Sequence, residues 1–465
     1  MAAQRAQALV LAAGKGTRLG SSLPKGLQPL LGLPVLEHVL RAVSECSSEP
    51  VVVVVGHGAA DVEAAFAGRG LRFVRQEPQR GTGHAVMVAS GALSADGADG
   101  PLLVVNGDQP LLRGPTLTRL LDVHRGSRAA ATLLTARLEQ PGSYGRVLRG
   151  PDGFVGRVVE ARDASPEERA LREVNAGAYV FERGALLQAL AGLQPDNAQG
   201  EYYLTDVLAV LVASGRPVAA CACEDPDEAL GVNTLAELAA AALRLRERKL
   251  AALLAAGVRV EDPATTQVGP DVEVEADAVL RPFTILEGRS RIGAGASVGP
   301  FARIVDSELG PAARVLDHCL ILESSVGPEA TVGPFAHLRP GSRVGARCRV
   351  GNFVELKQTQ LGDGAKAPHL SYLGDARIGP GVNIGAGTIT CNYDGVEKHP
   401  TSIGADAFVG SNATLVAPVR VGEGAYVAAG STITEDVPAH ALALGRARQV
   451  VKADWARRRG PRRKR

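Results

Sequence analysis

Apolar residues near the start of the chain recur in short, alternating blocks. "QALVLAAG" (7–14) reads as a strand ending in a glycine loop, and "PVLEHVLRAVSEC" (34–46) has the spacing of an amphipathic helix. "PVVVVVG" (50–56) leaves no polar side and predicts a strand buried on both faces. A helix over "ADVEAAFAG", a strand over "LRFVRQ", a helix over "GTGHAVMVASGAL" and a strand over "PLLVVNGD" follow. Alternation of this kind predicts an α/β domain with a mostly parallel sheet, covered on both faces. Ligands of such sheets sit beyond the carboxyl ends of the strands, which points to loops 12–20, 56–60, 76–83 and 106–113.

From Asn233 the texture changes. "NTLAELAAAALRLRERKLAALLAAG" reads as one long helix ending on glycine, a linker over 233–257 with the character of a strut. Beyond it, aliphatic residues fall six apart at Val268, Val274, Leu280, Leu286, Ile292, Val298 and Ile304. After a slip the period resumes from Val326 to Leu356, and it returns from Ile403 to Ile433. A six-residue period is the mark of a parallel β-helix. The expected organisation is therefore a nucleotide-binding-type domain over 1–232, the linker helix, and a β-helix over 258–465. "CNYDG" (391–395) stands where the last period has stopped, and it is either a harmless loop or a stretch that the regular part holds against something.

Composition supports this division. Hydrophobic residues make up 45% and charged residues 22%, ordinary values for a globular protein, while aromatic residues are only 4% and there are 55 glycines. A narrow aliphatic column has little room for rings. The net charge of +2 gives no general attraction to nucleic acid or membrane, and the basic end "ARRRGPRRKR" reads as a solvated tail. No export signal is expected at the N-terminus and no apolar run matches a membrane span. The six cysteines lack CxxC pairing, so reduced, packed thiols and a cytoplasmic location are expected.

Chemistry concentrates in two places. "LAAGKGTRLG" (11–20) fits neither the dinucleotide fingerprint nor the P-loop, but its glycines let backbone N–H groups approach a phosphate, with Arg18 and Lys25 supplying charge. Asp108 ends a strand, where it is either a ligand for a hard cation or a turn cap. In the repeat, Arg339, Lys357, His369, Tyr372 and Asn383 gather in aliphatic and glycine-rich surroundings. A lone histidine there is more often structural; two cations, a phenol and an amide beside it combine a base with charge that can hold an anion, and such a cluster is harder to dismiss.

"LAAGKGTRL", "QRGTGHA", "NGDQPL", "YGR", "VNAGAYVF" and "NAQGEYYLTD", joined to the hexapeptide repeat, resemble the bifunctional bacterial N-acetylglucosamine-1-phosphate uridyltransferase / glucosamine-1-phosphate acetyltransferase family over residues 8–450. The resemblance implies a Rossmann-like nucleotidyltransferase domain and a left-handed β-helix that associates as a homotrimer. It implies acetyl transfer from acetyl-CoA to glucosamine 1-phosphate, then uridylyl transfer from UTP, making UDP-N-acetylglucosamine for peptidoglycan and lipopolysaccharide synthesis. Carried over, Leu11, Ala12, Gly14, Lys25, Gln76, Gly81 and Thr82 would hold the uridine nucleotide, with Arg18 near its phosphates. Asp108 and Asn233 would bind Mg²⁺, and Gly145, Glu160 and Asn175 the sugar phosphate. His369 would be the general base, with Arg339, Lys357, Tyr372 and Asn383 on glucosamine 1-phosphate. Ala386, Asn392, Tyr393, Ser411, Ala429 and Arg446 would contact acetyl-CoA, and Thr390–Thr401 would reach a neighbouring subunit. Two positions depart from the family pattern: Asn106 where tyrosine is common, and Pro368 where glycine usually precedes the histidine. The competing reading is a sugar nucleotidyltransferase whose β-helix only assembles or regulates it; a non-catalytic scaffold of the same two folds is a third.

Overall fold

The structure is a computed structural model that describes residues 6–94 and 100–459. Most of the chain's N-terminal lead, 1–5, and the end of the basic tail, 460–465, lie outside the described residues. Two compact units divide between Leu245 and Arg246.

In the first unit seven strands form the main sheet, in the order Val218–Ala222, Ala131–Arg137, Glu173–Glu182, Pro101–Asn106, Ala6–Ala12, Ser47–Val55, Arg72–Arg75. All neighbours are parallel except Glu173–Glu182, which runs antiparallel to both of its partners. The valine run behaves as its composition demands. Val51, Val53 and Val55 join the core on one face with helix Val35–Ser44, while Val52 and Val54 join the core on the other with helix Thr82–Ser94. Each such side chain contributes roughly 1.5–3 kcal/mol by leaving water. The two layers of helices close both faces, so the ligand-accessible groups are those of the loops at the strand ends.

Helix Leu235–Ala255 is closed at its start by reciprocal hydrogen bonds. Glu237 accepts from the backbone N–H groups of Asn233 and Thr234, and the Thr234 hydroxyl accepts from Glu237 N. Ala241 is buried with Leu19, Leu30, Val35, Leu111 and Val232 in the first unit, whereas Leu250 and Leu253 belong to the core of the second.

The second unit is a column of three parallel sheets with eleven, ten and nine strands, each strand two to four residues long. One aliphatic side chain per strand points inward, and almost the whole series is buried in one continuous core. The apparent slips in the period have a simple cause. The inward series runs on through Leu309, Val315, Ile321 and, later, Leu361, Ala367, Leu373, Ile378 and Ile384. Steps such as Ile304 to Leu309 and Leu356 to Leu361 are one residue short, all at the corner between the ten- and nine-stranded sheets. A shortened corner shifts the frame of the sequence without breaking the coil. The only long departure among the described coils follows Thr390, where the chain leaves the column and returns at Thr401–Ile403. Rings are indeed kept out of the core: Phe283, Phe301, His318, Phe335 and Phe353 stack along one outer corner, with centroids 4.7–5.2 Å apart.

Candidate functional site

Two adjoining cavities open at the strand ends of the first unit. Leu11, Ala12, Gly14, Lys25, Gln76, Gly81, Thr82 and Asp108 line one of about 500 Å³. Arg18, Asp108, Gly145, Glu160, Asn175 and Asn233 line the other, of about 250 Å³. Thr82, Asn106, Asp108 and Glu160 belong to both and form the shared wall. The structure thus brings together every residue expected at the nucleotidyl site. A larger trough of about 640 Å³ runs along the nine-stranded sheet from Arg343 to Gly422, but it is lined by no carboxylate or imidazole and by none of the expected residues. It is a product of repeat geometry.

Local packing explains how distant segments meet at the shared wall. Gly107 follows strand Pro101–Asn106, and its N–H donates to Leu11 O (2.8 Å); a Cβ at Gly107 would stand 2.9 Å from that of Ala12. Asp108 O in turn accepts from Val232 N (2.8 Å), which brings Asn233 beside Asp108. The approach is reinforced by buried Glu228, which accepts from Arg113 and Thr116. Lys25 Nζ pairs with Asp108 Oδ2 and donates to Asn233 Oδ1 at 2.7 Å. Two hard oxygens therefore already converge on one cation.

The second cavity owes its shape to an irregularity in strand Glu173–Glu182, whose register against Ala131–Arg137 shifts between Asn175 and Tyr179. Asn175 donates to Tyr179 Oη (2.6 Å), and its backbone N–H donates to Gly145 O (2.9 Å). Glu160 accepts from Thr205 Oγ1 at 3.3 Å, and burial pushes its carboxyl above the usual range. Asn106, the departure from the family pattern, sits on the shared wall, its amide close to Gly177: a Cβ there would lie 2.4 Å from Asn106 Nδ2. Sequence reasoning missed Gln109, buried and donating to Ala176 O (2.7 Å), and Tyr144, whose hydroxyl donates to Ala229 O (3.0 Å). Gln109 ties the Asp108 loop to the bulged strand and to Ala229, and Tyr144 ties its own loop, next to Gly145, to the segment before Asn233. Ordinary residue types at unremarkable spacing carry no signal of this.

In the second unit the expected residues are collected by stacking. Arg339 and Lys357 occupy the same position of successive coils on the ten-stranded sheet; Glu355 and Tyr372 do so two residues earlier. Strand-to-strand spacing of roughly 4.8 Å places both cations within reach of one phosphate. His369 lies in register with Asn352 on the eleven-stranded sheet, and its Nδ1 is 2.8 Å from Asn352 Oδ1. An amide oxygen accepts, so Nδ1 holds the proton and Nε2 keeps its lone pair. Asn352 was not foreseen, although it precedes His369 by one coil.

Above His369 the same corner carries Ala386, Ser411 and Ala429, each two residues beyond the inward Ile384, Val409 and Val427. Asn412 N donates to Ala386 O (2.7 Å) and Gly430 N to Ser411 O (2.8 Å), which holds these positions in a vertical file. Asn383 begins the strand before Ala386, in register with Lys366, and Arg446 lies beside Gly430. Pro368 withdraws one N–H from this ladder, where the corresponding Gly385 and Gly410 donate to the next coil, and its carbonyl presses on Gly351. His369 nonetheless stays in the strand.

The chain that leaves the column after Thr390 forms a small hairpin. Asp394 accepts from the N–H groups of Val396 and Glu397 and from His399 Nε2 (2.8 Å). Tyr393, exposed, donates to Gly395 O (2.6 Å). Asn392 is turned inward and donates to Asp375, which also holds Lys357 at 2.9 Å. Burial opposes the charge on Lys357, but the hydrogen bonds and charge of Asp375 outweigh it and keep its pKa above the ordinary value. The hairpin also carries Lys398, whose pKa is lowered by the neighbouring Lys357, with burial and Arg339 acting in the same direction and Asp375 opposing them. Arg339 is paired with Glu355 (3.0 Å) and Lys357 with Asp375, so two of the three cations gathered here already have a carboxylate partner. Lys398 was missed because a lysine in an exposed loop looks like solvated charge.

Among the described residues, no group of three or more His, Cys, Asp and Glu is gathered for a metal, all six cysteines are free, and no helix is long and apolar enough to cross a membrane. Residues 8–259 match the MobA-like NTP transferase domain family, and residues 400–435 the hexapeptide repeat of succinyl-transferase. Relatives match along almost the whole chain. The chain is 46% identical over 449 residues to the bifunctional protein GlmU of Brevibacillus brevis, covering 97% of this chain and 96% of that one. It is 47% identical over 449 residues to that of Pelobacter propionicus (96% and 97% covered) and 46% identical over 450 to that of Desulfitobacterium hafniense (97% and 98%).

Proposed function

The chain belongs to the GlmU family of bifunctional proteins, and on that premise we propose how its two sites divide the synthesis of UDP-N-acetylglucosamine. It is a transferase with a nucleotidyltransferase domain and a hexapeptide-repeat acyltransferase domain. In our reading the repeat acetylates glucosamine 1-phosphate from acetyl-CoA, and the first domain then uridylylates the product. The protein works in the cytoplasm as a homotrimer, with the hairpin after Thr390 reaching a neighbouring subunit.

At the repeat, Arg339, Lys357 and Lys398 hold the phosphate while Tyr372 and Asn383 orient the sugar. His369 Nε2 takes a proton from the ammonium, and the freed amine attacks the thioester carbonyl. As the C–S bond breaks, the proton shed by the attacking nitrogen goes to the sulfur, and CoA leaves as the thiol along the file of Ala386, Ser411 and Ala429, with Asn392, Tyr393 and Arg446 at its margins. Direct transfer needs no acyl-enzyme, so Cys391, a little more than one coil beyond His369 in sequence, is a neighbour of the chemistry.

At the first site, Leu11, Ala12, Gly14, Gln76, Gly81 and Thr82 hold the uridine nucleotide; Gly145, Glu160 and Asn175 hold N-acetylglucosamine 1-phosphate across the shared wall. Its phosphate oxygen attacks the α-phosphorus of UTP in line, and pyrophosphate departs. Nucleotidyl transfer of this kind calls for a metal, for which we favour Mg²⁺. Asp108 and Asn233 fit it, since both present hard oxygens to a point now taken by an ammonium. When bound, the ion neutralises charge developing on the phosphates. With a cation held there, Lys25 would be free to join Arg18 at the phosphates.

The convergence of Asp108 and Asn233 on Lys25, at the wall common to both cavities, carries this reading. Its test is to supply glucosamine 1-phosphate, acetyl-CoA, UTP and Mg²⁺ together. UDP-N-acetylglucosamine with equal pyrophosphate is the expected outcome. Product when N-acetylglucosamine 1-phosphate is supplied, with none from glucosamine 1-phosphate and acetyl-CoA, would favour the rival reading, a nucleotidyltransferase with an inert β-helix.

A further inference from the structure

Gln76 is almost fully buried at the end of strand Arg72–Arg75, and the hydrogen bonds around it determine which way its amide faces. Its Nε2 lies 2.9 Å from Gly81 O. A carbonyl can only accept, so the amide nitrogen belongs there. The same nitrogen lies 3.1 Å from His84 Nδ1. With one hydrogen committed to Gly81, the other goes to Nδ1, which must accept; the ring proton is then on Nε2. Burial, and after it the charge of Arg80, holds the His84 imidazole below its ordinary pKa, so the ring stays neutral and able to accept.

His84 is itself firmly held. It opens helix Thr82–Ser94 and packs against the Tyr202 ring, with centroids 6.3 Å apart. The Tyr202 backbone grips the same turn from both sides, donating to Arg80 O (2.9 Å) and accepting from Gly83 N (2.7 Å). Both amide hydrogens of Gln76 are thereby used, and its Oε1, which takes no hydrogen bond among the described residues, is left to the occupant of the nucleotide cavity.

We propose that His84 is a positioning residue for base selection: by fixing the Gln76 amide it presents an acceptor that pairs with the N3–H of uracil and opposes the N3 lone pair of cytosine. This rests on the uridine-nucleotide reading above. Without the Nδ1 acceptor only Gly81 O would hold the amide nitrogen, and the weaker bias would let the amide turn part of the time, offer N–H in place of oxygen, and satisfy cytosine.

The experiment compares kcat/KM for UTP and CTP in the full chain and in His84→Asn and His84→Leu. Asparagine can place Oδ1 where Nδ1 stands, whereas leucine has similar bulk and no acceptor. The leucine variant should lower the UTP/CTP ratio roughly ten- to a hundredfold, mainly through KM, and the asparagine variant should keep most of it. In a Gln76→Ala background, His84→Leu should change the ratio no further. An unchanged ratio in folded His84→Leu, or equal losses in both variants, overturns the inference. Absence of UTP turnover in the unsubstituted chain would instead overturn the reading beneath it, and the inference with it.

Discussion

The two proposed sites differ in how the chain assembles them. Lys25 and Asn233 meet across 208 residues, and Asp108, Glu160 and Asn175 arrive on further separate segments. Arg339, Lys357 and Tyr372 come from three successive coils, and the file from His369 to Ala429 follows the repeat. A site built from long-range packing depends on a few joints, such as Val232 N to Asp108 O. One built by stacking depends on every coil keeping register. Damage to the first should therefore remove one chemistry cleanly, whereas damage to the second should spread along the column.

The largest effects concern the reacting centres. Asp108→Ala should lower pyrophosphate release on the order of 10³-fold, because one of two cation oxygens and the partner of Lys25 are lost together. CoA release with glucosamine 1-phosphate should persist; loss of both activities in a folded protein would break the separation. His369→Ala should lower acetyl transfer on the order of 10²–10⁴-fold and leave uridylyl transfer intact, as measured by CoA and pyrophosphate release.

A pair of glycines sharpens the comparison at the level of stability. A Cβ on Gly351 would stand 1.7 Å from Pro368 O, in the next coil, so Gly351→Ala should cost about 1–3 kcal/mol in urea unfolding and weaken acetyl transfer through His369. Gly184, exposed in the first turn of helix Arg183–Leu190, has nothing within 4 Å of its notional Cβ. There Gly184→Ala should gain about 0.4–1 kcal/mol. Equal effects would mean that the column's register is no more demanding than a surface helix.

The smallest effect is a pH dependence. Burial raises the Glu160 pKa, so the folded state holds that proton more tightly than the unfolded chain. Stability is lost as pH rises from the unfolded carboxylate range toward the raised folded value, and the loss is complete above it. Glu160→Gln never ionises and should melt at a higher temperature than the parent at pH 7. The difference should vanish below about pH 4, near the unfolded glutamate value. A lower melting temperature at pH 7 would mean that the ionised carboxylate is stabilised where it stands.

The same contrast explains what could be read in advance. The valine run and the six-residue period predict strands and coils because burial on a regular element leaves a regular trace. Steps such as Ile304 to Leu309 hide the continuity of the column, since deleting one corner residue shifts the frame but not the coil. Glycine loops betray the nucleotide cavity through backbone approach. Gln109, Tyr144 and Asn352 leave no such trace, because their roles arise only from the partners that folding gives them. Lys398 sits in the segment already marked as a departure from the period, and its place beside Lys357 is given only by folding.

The central claim is that two complete and separate sites are linked by a freely released sugar phosphate. It is tested most directly by mixing Asp108→Ala with His369→Ala in glucosamine 1-phosphate, acetyl-CoA, UTP and Mg²⁺, and following UDP-N-acetylglucosamine. Each variant alone should make almost none, and the mixture should recover a large share of the parent's rate after a lag while N-acetylglucosamine 1-phosphate accumulates. A mixture as inactive as its parts, with both proteins folded, would contradict the account.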